Sequence, residues 1–105
     1  MTDKIIVFST CDSEESAGTL ARALVERRVA ACVNILPAIR SFYWWHDKIQ
    51  DDDEWMLLIK STRGKFEDLR KAILELHSYD VPEVVALPIV DGAESYLEWL
   101  GKSVE

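Results

Sequence analysis

The sequence predicts an α+β domain in which one antiparallel sheet of four strands carries two helices on one face. Three observations support this fold class. Short apolar, β-branched segments and segments of helical spacing follow one another in the order βαββαβα. The 105 residues, with 49% hydrophobic content, three prolines and four glycines, fit a single globular domain spanning 1–105. One apolar and aromatic run, residues 30–45, is much longer than any other predicted strand.

The first half of the chain predicts a strand, a helix and a long second strand. Residues 5–8 are a β-branched run typical of a central strand. Residues 13–28 predict a helix that begins with a capping box formed by Asp12 and Glu15. Residues 31–45 predict the second strand, in which Pro37 indicates a bulge or bend. Simple alternation places on one face of this strand Val33, Ile35, Ile39, Tyr43 and Trp45.

The second half predicts the return arm of a hairpin and three further elements. A tight polar break at 46–48 precedes a third strand at 54–60, which completes one long hairpin. Residues 64–77 have the spacing of a second helix, and 81–90 predict a fourth strand interrupted by two prolines. A short last helix carries Tyr96, Leu97 and Leu100. This order predicts the split βαβ arrangement.

The run at 30–45 is too long for its own domain. At about 3.3 Å per residue it reaches roughly 50 Å, whereas a domain of this length is only about 33 Å across. Its distal end would expose four large aromatic side chains to water: Phe42, Tyr43, Trp44 and Trp45. The second and third strands are also apolar on both sides, so the face without helices needs cover. Both observations predict that further copies of the chain supply this cover.

Composition restricts the partners and the compartment. Nineteen acidic and twelve basic residues give a net charge of −7, which opposes binding to nucleic acid and to anionic membrane surfaces. No run approaches 18 apolar residues, because Arg40 interrupts the longest one, and no signal peptide is recognised. Cys11 and Cys32 are expected to be free thiols. We therefore expect a cytoplasmic protein that binds neither nucleic acid nor membranes.

Four segments of the sequence together resemble the CutA family of divalent-cation tolerance proteins. In chain order they are RRVAACVNILPAIRSFYWWHDKI, EWMLLIKST, HSYDVPEVVALPI and YLEWL. The resemblance covers nearly the whole chain. It implies a homotrimer of ferredoxin-like subunits, similar in architecture to the PII signalling proteins, in which long hairpins wrap around neighbouring subunits. It also implies a non-enzymatic role in tolerance to copper and other divalent metals.

The resemblance places the metal-binding role of the family on Cys32 and His77, and more weakly on Cys11. Thiolate and imidazole suit copper and zinc ions, of which copper is the expected one here. The residues alone leave a structural interpretation open, because the chain contains no CxxC or HxxxH pair. In that interpretation Cys32 is a small buried side chain on the sheet, and His77 contacts the C-terminal carbonyls of the second helix.

Other functions and sites also remain open. The alternative function is a PII-like sensor or scaffold that binds a partner protein, or a small anion near Lys60, Arg63 or Lys65, although no phosphate-binding glycine motif is present. His46, Asp47 and the acidic run at 51–54 would form either a hard-cation site or a solvated hairpin tip. A cysteine–histidine nucleophilic pair lacks an evident orienting acid. Aromatic packing at the trimer interface is expected for residues 42–45, Trp55 and Tyr79.

Overall fold

The computed structural model describes residues 2–105 and confirms the α+β fold. The elements are β1 (Lys4–Cys11), α1 (Glu14–Glu26), β2 (Cys32–Trp45), β3 (Lys48–Thr62), α2 (Phe66–Leu76), β4 (Val85–Pro88) and α3 (Glu94–Ser103). A short 3-10 turn at Arg63–Lys65 precedes α2. The strands form one sheet in the order β2-β3-β1-β4, and each neighbouring pair is antiparallel. Across residues 2–105, none of the helices is both long and apolar enough to span a membrane.

The main core lies between one face of the sheet and helices α1 and α2. Side chains alternate along a strand, so β1 and β3 direct every second residue to this face, where Ile5, Val7, Leu57 and Ile59 are buried. The helices contribute apolar residues at helical spacing: Leu20, Leu24, Leu69 and Ile73. Each fully buried side chain of this kind stabilises the fold by about 1.5–3 kcal/mol.

Helix α3 packs outside this core, near the opposite face of the sheet. Lys4, which alternates with Ile5, extends to Gly101, where an added Cβ would lie 3.2 Å from the lysine Nζ. Leu100 is fully buried but does not belong to the core formed by α1 and α2. The cover is partial, because three apolar residues on this face remain close to half exposed: Leu36, Val85 and Leu87.

The hairpin formed by β2 and β3 extends beyond the rest of the sheet, as predicted. β1 pairs with β3 only from Trp55 to Thr62, so the part of β3 before Trp55 is paired with β2 alone. The molecule is accordingly elongated, with principal extents of 44 × 25 × 22 Å. Near the tip Phe42 is 63% exposed and Trp44 is 71% exposed. The chain therefore presents large aromatic surfaces that its own residues 2–105 do not cover.

The predicted bulge is present at Pro37–Ala38. Leu36 pairs with Met56, whereas the next paired residue of β2, Ile39, lies opposite Glu54. β2 therefore advances by three residues while β3 advances by two, which is the signature of one extra residue in a strand. Because side chains alternate with a period of two, this extra residue inverts the alternation along the distal part of β2.

The inversion corrects one prediction made from simple alternation. After the bulge Ile39, Tyr43 and Trp45 lie on the face of Leu36, the face opposite the α1 and α2 core. Their predicted grouping with Val33 and Ile35 is wrong, since those two residues pair with Ile59 and Leu57 on the core side. The bulge thus places Tyr43 and Trp45 on the same face of the hairpin as Glu54.

Three predicted boundaries also change. The N-cap of α1 is Ser13, whose hydroxyl accepts a hydrogen bond from the Ser16 N–H at 3.0 Å, so the predicted capping box is wrong. β3 begins at Lys48 rather than 54, because its pairing with β2 continues to the hairpin tip. β4 spans only Val85–Pro88 rather than 81–90, because it pairs with four residues of β1 and the segment before it runs beside the hairpin.

Candidate functional site

Cys11 and His77 lie side by side where β1 and α2 end. Cys11 is the last residue of β1, and His77 directly follows the last residue of α2. The Cys11 Sγ atom is 3.7 Å from His77 Nε2, and both residues line a cavity of about 280 Å³ beside the start of α1. Cys11 is only 2% exposed. Of the three predicted metal ligands, the structure therefore brings together His77 and Cys11. Cys11 is the ligand that the resemblance supported least.

Both ring nitrogens of His77 are engaged within the chain. The Tyr79 backbone N–H donates to Nδ1 at 3.0 Å, so Nδ1 carries a lone pair and Nε2 carries the proton. Nε2 then donates to the carbonyl oxygen of Thr10 at 2.7 Å. In this tautomer neither nitrogen has a free lone pair for a metal ion or for the proton of a thiol.

His77 contacts a C-terminal carbonyl of α2, as the structural interpretation expected, but it does so through its backbone and not through its ring. Only the backbone N–H of His77 bonds to the helix, at the carbonyl oxygen of Ile73. His77 has extended backbone angles, with φ −75° and ψ 143°, so the chain turns away from the helix there. The imidazole consequently reaches Thr10 on β1.

The environment of Cys11 keeps its thiol protonated at neutral pH. Burial raises the pKa of this thiol from 9.0 to about 11, although a hydrogen bond with Ser16 acts in the opposite direction. Metal ligation and nucleophilic attack both require the thiolate. The Cys11 thiol is protonated, and the His77 imidazole donates its proton to Thr10. The contact between Cys11 and His77 is therefore a packing contact.

Cys32 lies in a different part of the sheet. It pairs with Lys60, whereas Cys11 pairs with Trp55, so the two cysteines are separated by roughly 16 Å along β3. Its Sγ contacts the Asn34 Oδ1 atom at 3.8 Å, and the residue is only partly buried. Within one chain Cys32 therefore does not join His77. No group of three or more His, Cys, Asp or Glu residues suited to a metal ion occurs in residues 2–105.

A larger groove of about 820 Å³ lies between the base of the hairpin and the segment 78–83. Glu54 is part of its lining and is only 6% exposed. The Tyr79 hydroxyl donates to Glu54 Oε2 at 2.8 Å. Burial and this carboxylate raise the pKa of Tyr79 far above its ordinary value, so the hydroxyl remains a donor. The sequence pattern placed Glu54 only in the acidic run 51–54 and gave no link to Tyr79, although a carboxylate within the strand-like segment EWMLLIK was a signal of its burial.

Aromatic side chains line the hairpin side of this groove. The lining includes all four distal aromatics predicted for an interface: Phe42, Tyr43, Trp44 and Trp45. The Tyr43 hydroxyl donates to Asp52 Oδ2 at 2.6 Å, and this contact raises the pKa of Tyr43 to about 12. Trp55, the fifth predicted interface aromatic, instead packs partly against the core formed by α1 and α2.

Several charged residues near the other candidate sites have partners within the chain. Arg40 donates to both carboxylate oxygens of Asp51, at 2.9 and 2.8 Å, and successive residues of the acidic run alternate between the two faces of β3. The Lys60 Nζ atom donates to Asn34 Oδ1. Arg63 lines a separate cavity of about 320 Å³ beside β4. Residues 2–105 thus do not gather Lys60 and Arg63 into one anion site.

The arrangement of elements defines a class of protein: a split βαβ domain with an extended hairpin and a groove at the base of that hairpin. Within this class the chain matches one family, described as CutA1 divalent ion tolerance protein, over residues 5–103. The chain therefore belongs to that family. The resemblance inferred from the four sequence segments is confirmed.

Named relatives agree with this membership. The chain is 50% identical over 95 residues to the divalent-cation tolerance protein CutA of Thermus thermophilus, which covers 90% of this chain and 92% of the relative. It is 46% identical over 99 residues to the chloroplastic protein CutA of Arabidopsis thaliana, but it spans only 54% of that protein. The solved divalent cation tolerance protein (Cut A1) from Thermus thermophilus gives a TM-score of 0.94 at 46% identity, covering 97% and 99% of the two chains.

Proposed function

We propose that this protein acts in tolerance to divalent cations as a homotrimer that binds a divalent metal, with copper as the first candidate. The observation that carries the proposal is the family match over residues 5–103. The name of the relative from Thermus thermophilus, at 50% identity, describes the same role for that protein. The alternative of a sensor for small anions has less support, because Lys60 bonds to Asn34 and does not line the cavity that Arg63 lines.

Exposed apolar surface supports the trimeric assembly. The overhanging hairpin exposes Phe42 and Trp44 to 63% and 71%, and the face opposite the main core exposes Leu36 and Leu87 to 45% and 49%. Large apolar side chains exposed to this extent are typical of association sites. Copies of the chain that pack around these surfaces would remove them from water and would stabilise the hairpin.

The geometry of the predicted ligands supports a metal site shared between chains. One chain holds Cys32 far from His77, and residues 2–105 provide no group of three suitable ligands. Cys32 lies on the incompletely covered face of the sheet and is partly exposed. A complete coordination sphere would therefore combine ligands from neighbouring copies. His77 would join it only after releasing the Tyr79 N–H or the Thr10 carbonyl oxygen.

Calorimetric titration with Cu(II) tests the metal-binding proposal. We expect the wild-type protein to bind Cu(II), and we expect Cys32→Ser and His77→Ala each to weaken binding by about tenfold or more. Cys11→Ser is the matched control, because the Cys11 thiol is buried and protonated, and its affinity should equal that of the wild type. Unchanged affinity in both the Cys32 and the His77 variants would contradict the proposal.

We also propose that the protein has no enzymatic activity and resides in the cytoplasm. The arrangement of Cys11 and His77 supports the first point, because the thiol is protonated and the imidazole has no free lone pair to act as its base. The free thiols Cys11 and Cys32 are consistent with a reducing compartment. Cell fractionation tests the compartment, and recovery of the protein outside the cytoplasmic fraction would contradict it.

A further inference from the structure

We propose that Lys60 sets the charge of the ion that Cys32 prefers: its ammonium group lowers the affinity of this ligand for divalent ions relative to monovalent ions of the same softness. The inference rests on the proposed function, because Cys32 is one of the metal ligands proposed there. It gives Lys60 a role in specificity rather than in coordination, since an ammonium group has no lone pair for a metal. Divalent ions still bind, but less tightly than they would without Lys60.

The position of Lys60 beside Cys32 is the first observation behind this proposal. The two residues are direct partners across β2 and β3, so their side chains lie on the same face of the sheet, with Cβ atoms about 5 Å apart. The pairing is secured next to this position by the Ala31 N–H, which donates to the carbonyl oxygen of Lys60 at 2.8 Å. These contacts lie within one chain, so they do not depend on which surfaces the proposed trimer covers.

The direction of the ammonium group is the second observation. Asn34, two residues further along β2 on the same face, accepts a hydrogen bond from the Lys60 Nζ atom through its Oδ1 atom. The same Oδ1 atom lies 3.8 Å from the Cys32 Sγ atom. One side-chain oxygen therefore contacts both the ammonium group and the sulfur. It holds the positive charge close to an ion bound at this sulfur.

No carboxylate among residues 2–105 neutralises the charge of Lys60. None of the ion pairs formed by these residues includes Lys60. The side chain of Asn34, which holds the ammonium group, is neutral. An ion bound at Cys32 is therefore repelled by a full positive charge.

This repulsion acts more strongly on a divalent ion than on a monovalent one. When a thiol binds a metal ion, an S–metal bond replaces the S–H bond and the proton leaves to solvent. Cu(II) adds one more positive charge to the site than Cu(I) does, whether the sulfur begins as a thiol or as a thiolate. One additional unit charge within about 6 Å of the ammonium group changes an affinity by about tenfold at an effective dielectric constant of about 40. Cys32 therefore favours copper as Cu(I), the state that soft thiolate ligands select.

Calorimetric titration with Ag(I) and with Cd(II), in chloride-free buffer at one protein concentration, tests the proposal. The two probes are isoelectronic soft ions that differ by one unit of charge. Lys60→Gln should raise the affinity for Cd(II) relative to that for Ag(I) by about tenfold. Lys71→Gln is the matched control, because it removes an equal charge from an exposed position of α2, on the other side of the sheet. It should keep the wild-type ratio of affinities, as should Lys60→Arg, which retains the charge.

An unchanged ratio in Lys60→Gln, or an equal rise in Lys71→Gln or Lys60→Arg, would overturn the proposal. Cys32→Ser separates this failure from a failure of the proposed function. If Cys32→Ser binds both probes as the wild type does, the proposed metal site is wrong and the role of Lys60 is overturned with it. If Cys32→Ser weakens binding while Lys60→Gln keeps the wild-type ratio, only the role of Lys60 is overturned. Should Lys60→Gln fail to fold, Lys60→Thr, whose branched side chain suits a strand, replaces it under the same criteria.

Discussion

Tyr79 is the residue that joins the two polar clusters of the molecule. Its backbone N–H determines the tautomer of His77, and its hydroxyl bonds the buried carboxylate of Glu54. Its ring also lies against the imidazole, with the two ring centroids 4.6 Å apart. One residue thereby holds the His77 ring through its backbone and gives Glu54 a hydrogen bond through its side chain.

Removing the hydroxyl of Tyr79 should destabilise the protein. In Tyr79→Phe the buried carboxylate of Glu54 loses the hydrogen bond to Oε2, at a cost of about 2 kcal/mol in the free energy of unfolding. Urea denaturation at one fixed protein concentration measures this change. Tyr43→Phe is the control, because it removes a similar bond to Asp52 in an exposed part of the hairpin and should change stability much less. Equal losses in the two variants would contradict the role given to Glu54.

The raised pKa of Tyr79 also fixes a direction for the dependence of stability on pH. In the unfolded chain this hydroxyl ionises near its ordinary pKa of 10.0, whereas burial and Glu54 raise its pKa in the folded protein. The unfolded state thus binds fewer protons above that pH, and stability falls as the pH rises further. Tyr79→Phe should lose less stability than the wild type between neutral pH and the alkaline range, as measured by urea denaturation at each pH.

At the scale of elements, the order βαββαβα could be predicted because apolar periodicity and turn residues are local properties of the sequence. The contacts that form the site are not local. Cys11 and His77 are 66 residues apart in the chain, and their contact depends on where β1 and α2 end together. The bulge at Pro37–Ala38 was visible as a proline, but which face Tyr43 occupies depends on pairing with β3 that no local pattern encodes.

The strained backbone of this bulge gives a further prediction. Ala38 has a φ of 54°, in the left-handed region that disfavours side chains with a Cβ. Ala38→Gly should therefore raise the free energy of unfolding by about 1 kcal/mol. Ala23→Gly within α1 is the control, because glycine in a regular helix should lower it by about 1 kcal/mol. Urea denaturation of both variants checks the signs, and destabilisation by Ala38→Gly would contradict the assigned backbone conformation.

At the scale of the whole molecule, the dominant feature is apolar surface that one chain leaves uncovered. The hairpin extends beyond the rest of the sheet and gives the molecule its longest extent of 44 Å. The face opposite the main core is only partly covered by α3. The family match shows which proteins are related to this chain. The exposed apolar surface is the reason that we expect the chain to associate with copies of itself. The proposed shared metal site depends on this assembly.

Sedimentation equilibrium of the full chain at micromolar concentration tests this central claim most directly. The proposal predicts a single species with three times the chain mass of 12.0 kDa, persisting on dilution. A species with the mass of one chain would contradict the account, because the aromatic hairpin and the exposed sheet face would then be stable in water without a partner.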